Sequence, residues 1–106
     1  MYLRVKIAFY NTTRLYHSIL DVHGWRAMGE TIAEAFKRGD FAAMSAAVTD
    51  ELIDQIAIAC RPDEARDRLK QWEAFGDQVL LYPATVGAAP GRVRENVAAI
   101  TDTFGR

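Results

Sequence analysis

Hydrophobic positions follow two different rules along this chain, and the change comes near residue 55. In the first half they recur at helical spacing. Leu15, Ile19 and Val22 share one helical face, with Tyr16, Leu20 and His23 beside them. Thr12 or Thr13 stands where a hydroxyl would accept the first free amide N–H groups, and Gly24 stands where a left-handed residue would end the helix. Trp25, Met28, Ile32, Ala35 and Phe36 form a second stripe, closed by Lys37, Arg38 and Gly39, with cations at the negative end of the helix dipole. Asp40 is placed to cap a short helix that buries Phe41, Met44 and Val48, and Thr49 a further one that begins with Asp50 and Glu51. Residues 1–10 fit both periods. Leu3, Val5, Ile7 and Phe9 alternate with Arg4, Lys6 and Ala8 as in a strand, while Leu3, Ile7 and Tyr10 fit a helix; alternation leans toward strand.

In the second half the apolar residues also form short continuous runs. "IAIAC" and "QVLLYP" read as two buried strands. "RPDEARDRLKQWEAFG" between them reads as a helix, with Pro62 in its first turn and Ala65, Leu69 and Trp72 on its buried face. After the loop "ATVGAAPG", Val93, Val97, Ile100 and Phe104 mark a last amphipathic helix. This order is a βαβα unit with parallel strands. The expected organisation is one domain over 1–106, a helical segment at 1–54 followed by the βαβα unit at 55–106. Its fold class is α/β and helix-rich.

Composition narrows the function. Of 106 residues, 50% are hydrophobic and 25% charged, as in an ordinary globular domain, and the formal charge of −1 offers no basic field for nucleic acid or an anionic membrane. Charges interrupt "MYLRVK" where a signal peptide needs its apolar stretch, and no apolar run is long enough to span a bilayer, so a cytoplasmic protein is expected. The single cysteine, Cys60, has no partner for an internal disulfide, and no metal-ligand spacing stands out.

The densest candidate chemistry is "FYNTTRLYHSILDVHGW", residues 9–25. His17 and His23 are six apart and face different sides of a helix, which rules out an i, i+4 metal pair; Asp21 is placed only for a surface pair with His17. Tyr10 and Tyr16 read as aromatics at the edge of a core. Cys60 lacks a neighbouring base that would make it a nucleophile. Asp50, Glu51 and Asp54 serve a helix start, and Arg92, Arg94 and Glu95 a solvated face. Arg61 is the one cofactor-binding candidate. It follows a predicted strand and precedes a helix N-terminus, where parallel barrels hold phosphate. No catalytic residue is assigned.

The pieces "AFYNTTRLYHSILDVHGW", "KRGDFAAM", "VTDELID", "RPDEARDRL" and "RENVAAI" together resemble the C-terminal region of luciferase-like monooxygenases, closest to the deazaflavin-dependent oxidoreductases. Ala8, Phe9, Tyr10, Thr13, Tyr16, Leu20, His23, Gly24 and Trp25 carry the opening part of that likeness. The resemblance implies a (β/α)8 TIM barrel about three times this length, with residues 55–106 as its last two βα units and residues 1–10 on a helix. It implies hydride transfer with the deazaflavin coenzyme F-420 or with FMN. Where the family has Gly followed by Thr or Ser, this chain has Cys60 and Arg61. Two strands leave both edges of a parallel pair unpaired, so a homo-oligomer or a partner chain completing the sheet is expected, and the chain alone is expected to be inactive. The alternative is a non-catalytic oligomerising module or barrel remnant.

Overall fold

The computed structural model describes residues 2–105. Residues 2–10 are helical, which resolves the ambiguous start against the alternation and in line with the resemblance. Helix α1 (Tyr2–Tyr10) buries Ile7 and Ala8, and its Arg4 guanidinium donates to the Val48 carbonyl and the Asp50 carboxylate. That reach ties α1 to the corner between two later helices. A single 3-10 turn (Arg14–Tyr16) runs into α2 (His17–Val22), followed by α3 (Arg26–Lys37), α4 (Phe41–Ala46) and α5 (Asp50–Ile56).

The predicted caps divide. Asp40 accepts from the Ala43 amide at 2.9 Å and Thr49 from the Leu52 amide at 3.2 Å, so both start helices as expected. Thr13 makes no capping bond, and Thr12 Oγ1 instead donates to the Phe9 carbonyl at 2.8 Å, fastening the end of α1. Gly24 and Gly39 adopt positive φ, 74° and 70°. After each, a paired set of bonds closes the helix: Trp25 N–H to Leu20 at 2.8 Å, and Asp40 N–H to Ala35 at 2.9 Å.

The core is Ile7, Ala8, Leu20, Ile32, Ala35, Met44, Val48, Leu52 and Ile53, all within α1–α5 and their corners. Gly29 lets α2 and α3 approach closely, since a Cβ there would lie 2.9 Å from Leu20 Cδ1 and 3.1 Å from the His17 ring. Some expected core positions face outward. Phe41 stands at the surface in edge-on contact with Phe36, and Leu20 is the buried residue of α2, while the shared face of Leu15, Ile19 and Val22 is exposed.

The second half holds α6 (Ala65–Glu73) and α7 (Pro90–Phe104). Both helices form, although α6 begins at Ala65 and leaves Pro62 in the preceding turn rather than in its first turn; the two strands are not formed, and among the described residues there is none. Residues 58–60 and 76–84 have backbone groups bonded to no other described backbone group. The reason is physical: a strand exists only through its ladder, and a lone parallel pair with one uncovered face is too small to hold in water. Arg66 donates to the Thr103 carbonyl and lies over the Phe104 ring, holding α6 against α7. The molecule is flat, 44 × 33 × 19 Å, and its radius of gyration of 14.9 Å exceeds the roughly 13 Å of a compact chain of this length. No described helix is long and apolar enough to cross a membrane.

Candidate functional site

The principal cavity opens between the two halves. It is an open groove of about 850 Å³ with walls from α1 (Leu3, Ile7), the segment after α5 (Ile58), α6 (Trp72), the loop before α7 (Leu81) and α7 itself (Ile100). Apolar side chains dominate it. Two polar features stand out. The Lys6 ammonium sits 3.5 Å from the centre of the Tyr82 ring, and partial burial pushes its pKa down from the ordinary lysine range. The Trp72 indole Nε1 is buried with no hydrogen-bond partner among the described residues. Buried indole N–H groups normally find an acceptor.

The turn at Cys60 and Arg61 lies beside the groove. The Arg61 guanidinium donates to both Asp63 oxygens, at 3.1 and 2.5 Å, and thereby holds the Asp63 carboxyl below the usual carboxylate range. Its backbone N–H, which an anion at a helix start would use, donates to the Glu64 carboxylate at 3.1 Å. Asp63, Glu64 and Asp67 crowd the adjoining hollow against a single cation, Arg68. Burial first and Glu64 second push the Cys60 thiol above its ordinary pKa, which suppresses the thiolate. An anionic group does not fit this turn as it stands: Asp63 would have to leave Arg61 first, and the neighbouring carboxylates would repel the newcomer.

The remaining candidates are placed as packing. His17 Nε2 donates to the Asn11 carbonyl at 2.8 Å, and the buried Asn11 side chain donates to the Ile7 carbonyl at 2.9 Å. These bonds close the turn between α1 and α2. The His23 ring stacks on Trp25, centroids 4.6 Å apart, and the Tyr10 and Tyr16 rings meet at 5.5 Å. Asp21 pairs with Arg26, not with His17. Asp54 accepts from Arg68 at 3.3 Å, and Arg92 pairs with Glu95 at 3.0 Å. Among the described residues no three His, Cys, Asp or Glu side chains are grouped to hold a metal ion.

Sequence reasoning did not find the groove, because its walls come from residues up to a hundred positions apart. The Lys6–Tyr82 contact leaves no mark in a local pattern. The unpartnered Trp72 nitrogen could have been suspected only from the rule that a buried indole needs an acceptor.

Residues 2–78 match the description of the luciferase-like monooxygenases. An uncharacterized protein of Mycobacterium tuberculosis is 31% identical over 78 residues, covering 73% of this chain and 23% of its own length. The 5,10-methylenetetrahydromethanopterin reductase of Archaeoglobus fulgidus is 28% identical over 75 residues, covering 66% of this chain and again 23% of the relative. The chain thus spans about a quarter of the length of the curated relatives it matches. No solved structure matches it. The matched stretch takes in the whole helical core, the Arg61 turn and α6, and on that footing the chain belongs to the luciferase-like monooxygenase family.

Proposed function

We propose that this chain is the C-terminal part of a luciferase-like (β/α)8 barrel, belonging to an oxidoreductase that transfers hydride with the deazaflavin coenzyme F-420 or with FMN. By itself it has no activity. The observation that carries the reading is the unbonded backbone of residues 58–60 and 76–84, two apolar segments beside an apolar groove. They have the composition of interior strands and lack only neighbours. The name of the Archaeoglobus relative, a reductase, supports the oxidoreductase class.

The cofactor would supply the redox chemistry, and the assembled protein its orientation. Within this chain Arg61 is the residue proposed to reach a cofactor phosphate, and only after separation from Asp63. No step is routed through it in the arrangement described above. The turn closed by its own acids favours a second reading, a non-catalytic module that kept its helices after losing the barrel.

A fluorescence titration of the purified chain with coenzyme F-420, and with FMN for comparison, tests the proposal. The expected result is no saturation up to about 1 mM, weaker than about −4 kcal/mol. Saturable micromolar binding would contradict the need for further strands and place a working site within these residues.

A further inference from the structure

The chain has three lysines, and their surroundings differ. Lys37 donates to the Glu34 carboxylate at 2.7 Å and Lys70 to Asp67 at 2.6 Å, and both side chains stand in solvent. Asp67 holds the Lys70 ammonium above its ordinary pKa. Lys6 is half-buried and makes no ion pair among the described residues. The groove it lines carries no Asp or Glu among the described residues, and the other titratable side chains there are Tyr10, Cys60 and Tyr82. Its ammonium faces the Tyr82 ring, 3.5 Å from the centre.

A lysine acts as a nucleophile through its neutral amine, which desolvation favours and a paired carboxylate opposes. Lys6 shares one face of α1 with Leu3, Ile7 and Tyr10, and that face forms a wall of the groove. At about 850 Å³ the groove has the size of a small-molecule site, and its lining is predominantly apolar. An electrophile with an apolar chain would be held there with its reacting carbon beside the amine. We propose that Lys6 is an acylation site whose donor is a thioester carrying a medium-length alkyl chain that lies in the groove. The neutral amine attacks the thioester carbonyl. A C–N bond forms, the C–S bond breaks, and the thiol leaves with the proton given up by nitrogen. Cys60 lines the same groove, but burial and Glu64 push its thiol pKa up, which disfavours the competing thiolate. The site lies wholly within this chain and is independent of the cofactor reading above.

Incubation of the full chain with the octanoyl thioester of N-acetylcysteamine, followed over time by peptide mass spectrometry, tests the assignment. Lys6 is expected to be acylated about tenfold faster than Lys37 or Lys70, although exposure alone would favour the other two. With the acetyl thioester, which has no chain for the groove to hold, the preference should shrink to about twofold or less. Tyr82→Leu removes the ring that stabilises the ammonium but keeps an apolar wall, and is expected to speed Lys6 about two- to fivefold. Its helical circular dichroism and its Lys37 and Lys70 rates should match the wild type. Lys37 or Lys70 reacting as fast as Lys6 with the octanoyl thioester would overturn the proposal. So would a preference equally large with the acetyl thioester, or an octanoyl group found on Cys60 and not on Lys6.

Discussion

Residues 2–56 and residues 57–105 both carry amphipathic helices, but only the first half buries what its pattern offers. Every fully buried hydrophobic among the described residues lies at or before Ile53. In the second half Phe75 is 84% exposed and Leu80 87%, and the stripes of α6 and α7 are no better than half-buried. The difference is not one of hydrophobicity. The helices α1–α5 satisfy their backbones internally and need only one another to form a core. The segments "IAIAC" and "QVLLYP" need hydrogen-bonded neighbours before their side chains have anywhere to go. A helical half is therefore a nearly self-sufficient unit, and a strand-bearing half is not.

The sharpest way to break this comparison is a matched pair of truncations. Leu52→Ala removes a buried side chain from the first half and is expected to cost about 2–5 kcal/mol. Leu80→Ala removes an exposed one from the second half and should stay within about 0.5 kcal/mol. Urea unfolding followed by circular dichroism reads both, and equal costs would mean that the halves are equally packed. Next in size is Gly29→Ala. Its Cβ would press on Leu20, so crowding of about 1–3 kcal/mol is set against a gain in helix propensity of up to about 1 kcal/mol. A net loss in Tm is expected.

The caps offer a smaller contrast within the first half. Thr49→Ala and Asp40→Ala should each cost about 1 kcal/mol, whereas Thr13→Ala, which removes no capping bond, should leave Tm nearly unchanged. Smallest is the response to acid. Arg61, Lys70 and Lys37 hold the Asp63, Asp67 and Glu34 carboxyls below their ordinary values. A depressed carboxyl pKa stabilises the fold above the unfolded value, and that contribution is lost as pH falls through the folded one. Because all three are exposed, the Tm should change little down to about pH 4 and then fall gently. A steep collapse well above that pH would point to a carboxylate with a larger structural role.

Much of the first half was legible from spacing alone. Asp40, Thr49, Gly24 and Gly39 act locally, within a turn of the chain, and the pattern placed them correctly. The outward position of Leu15, Ile19 and Val22 was not legible. Periodicity names the faces of a helix but not which one meets the core, and Gly29 on the next helix decided that for α2. The two strands were misread for a related reason: apolar runs encode a demand for neighbours, and no described segment of this chain pairs with them. Arg61 was found as a position, but its capture by Asp63 two residues on, and the crowd of acids beside it, emerged only from the folded turn.

Hydrogen exchange read residue by residue on the chain alone tests the central claim most directly. The account predicts strong protection of the amides in α3 and α5 and exchange near the rate of an unfolded chain across residues 76–84, whose amides bond to no other described backbone group. Protection across residues 76–84 as strong as that in α5 would show that the second half builds its own ladder, and would contradict the account.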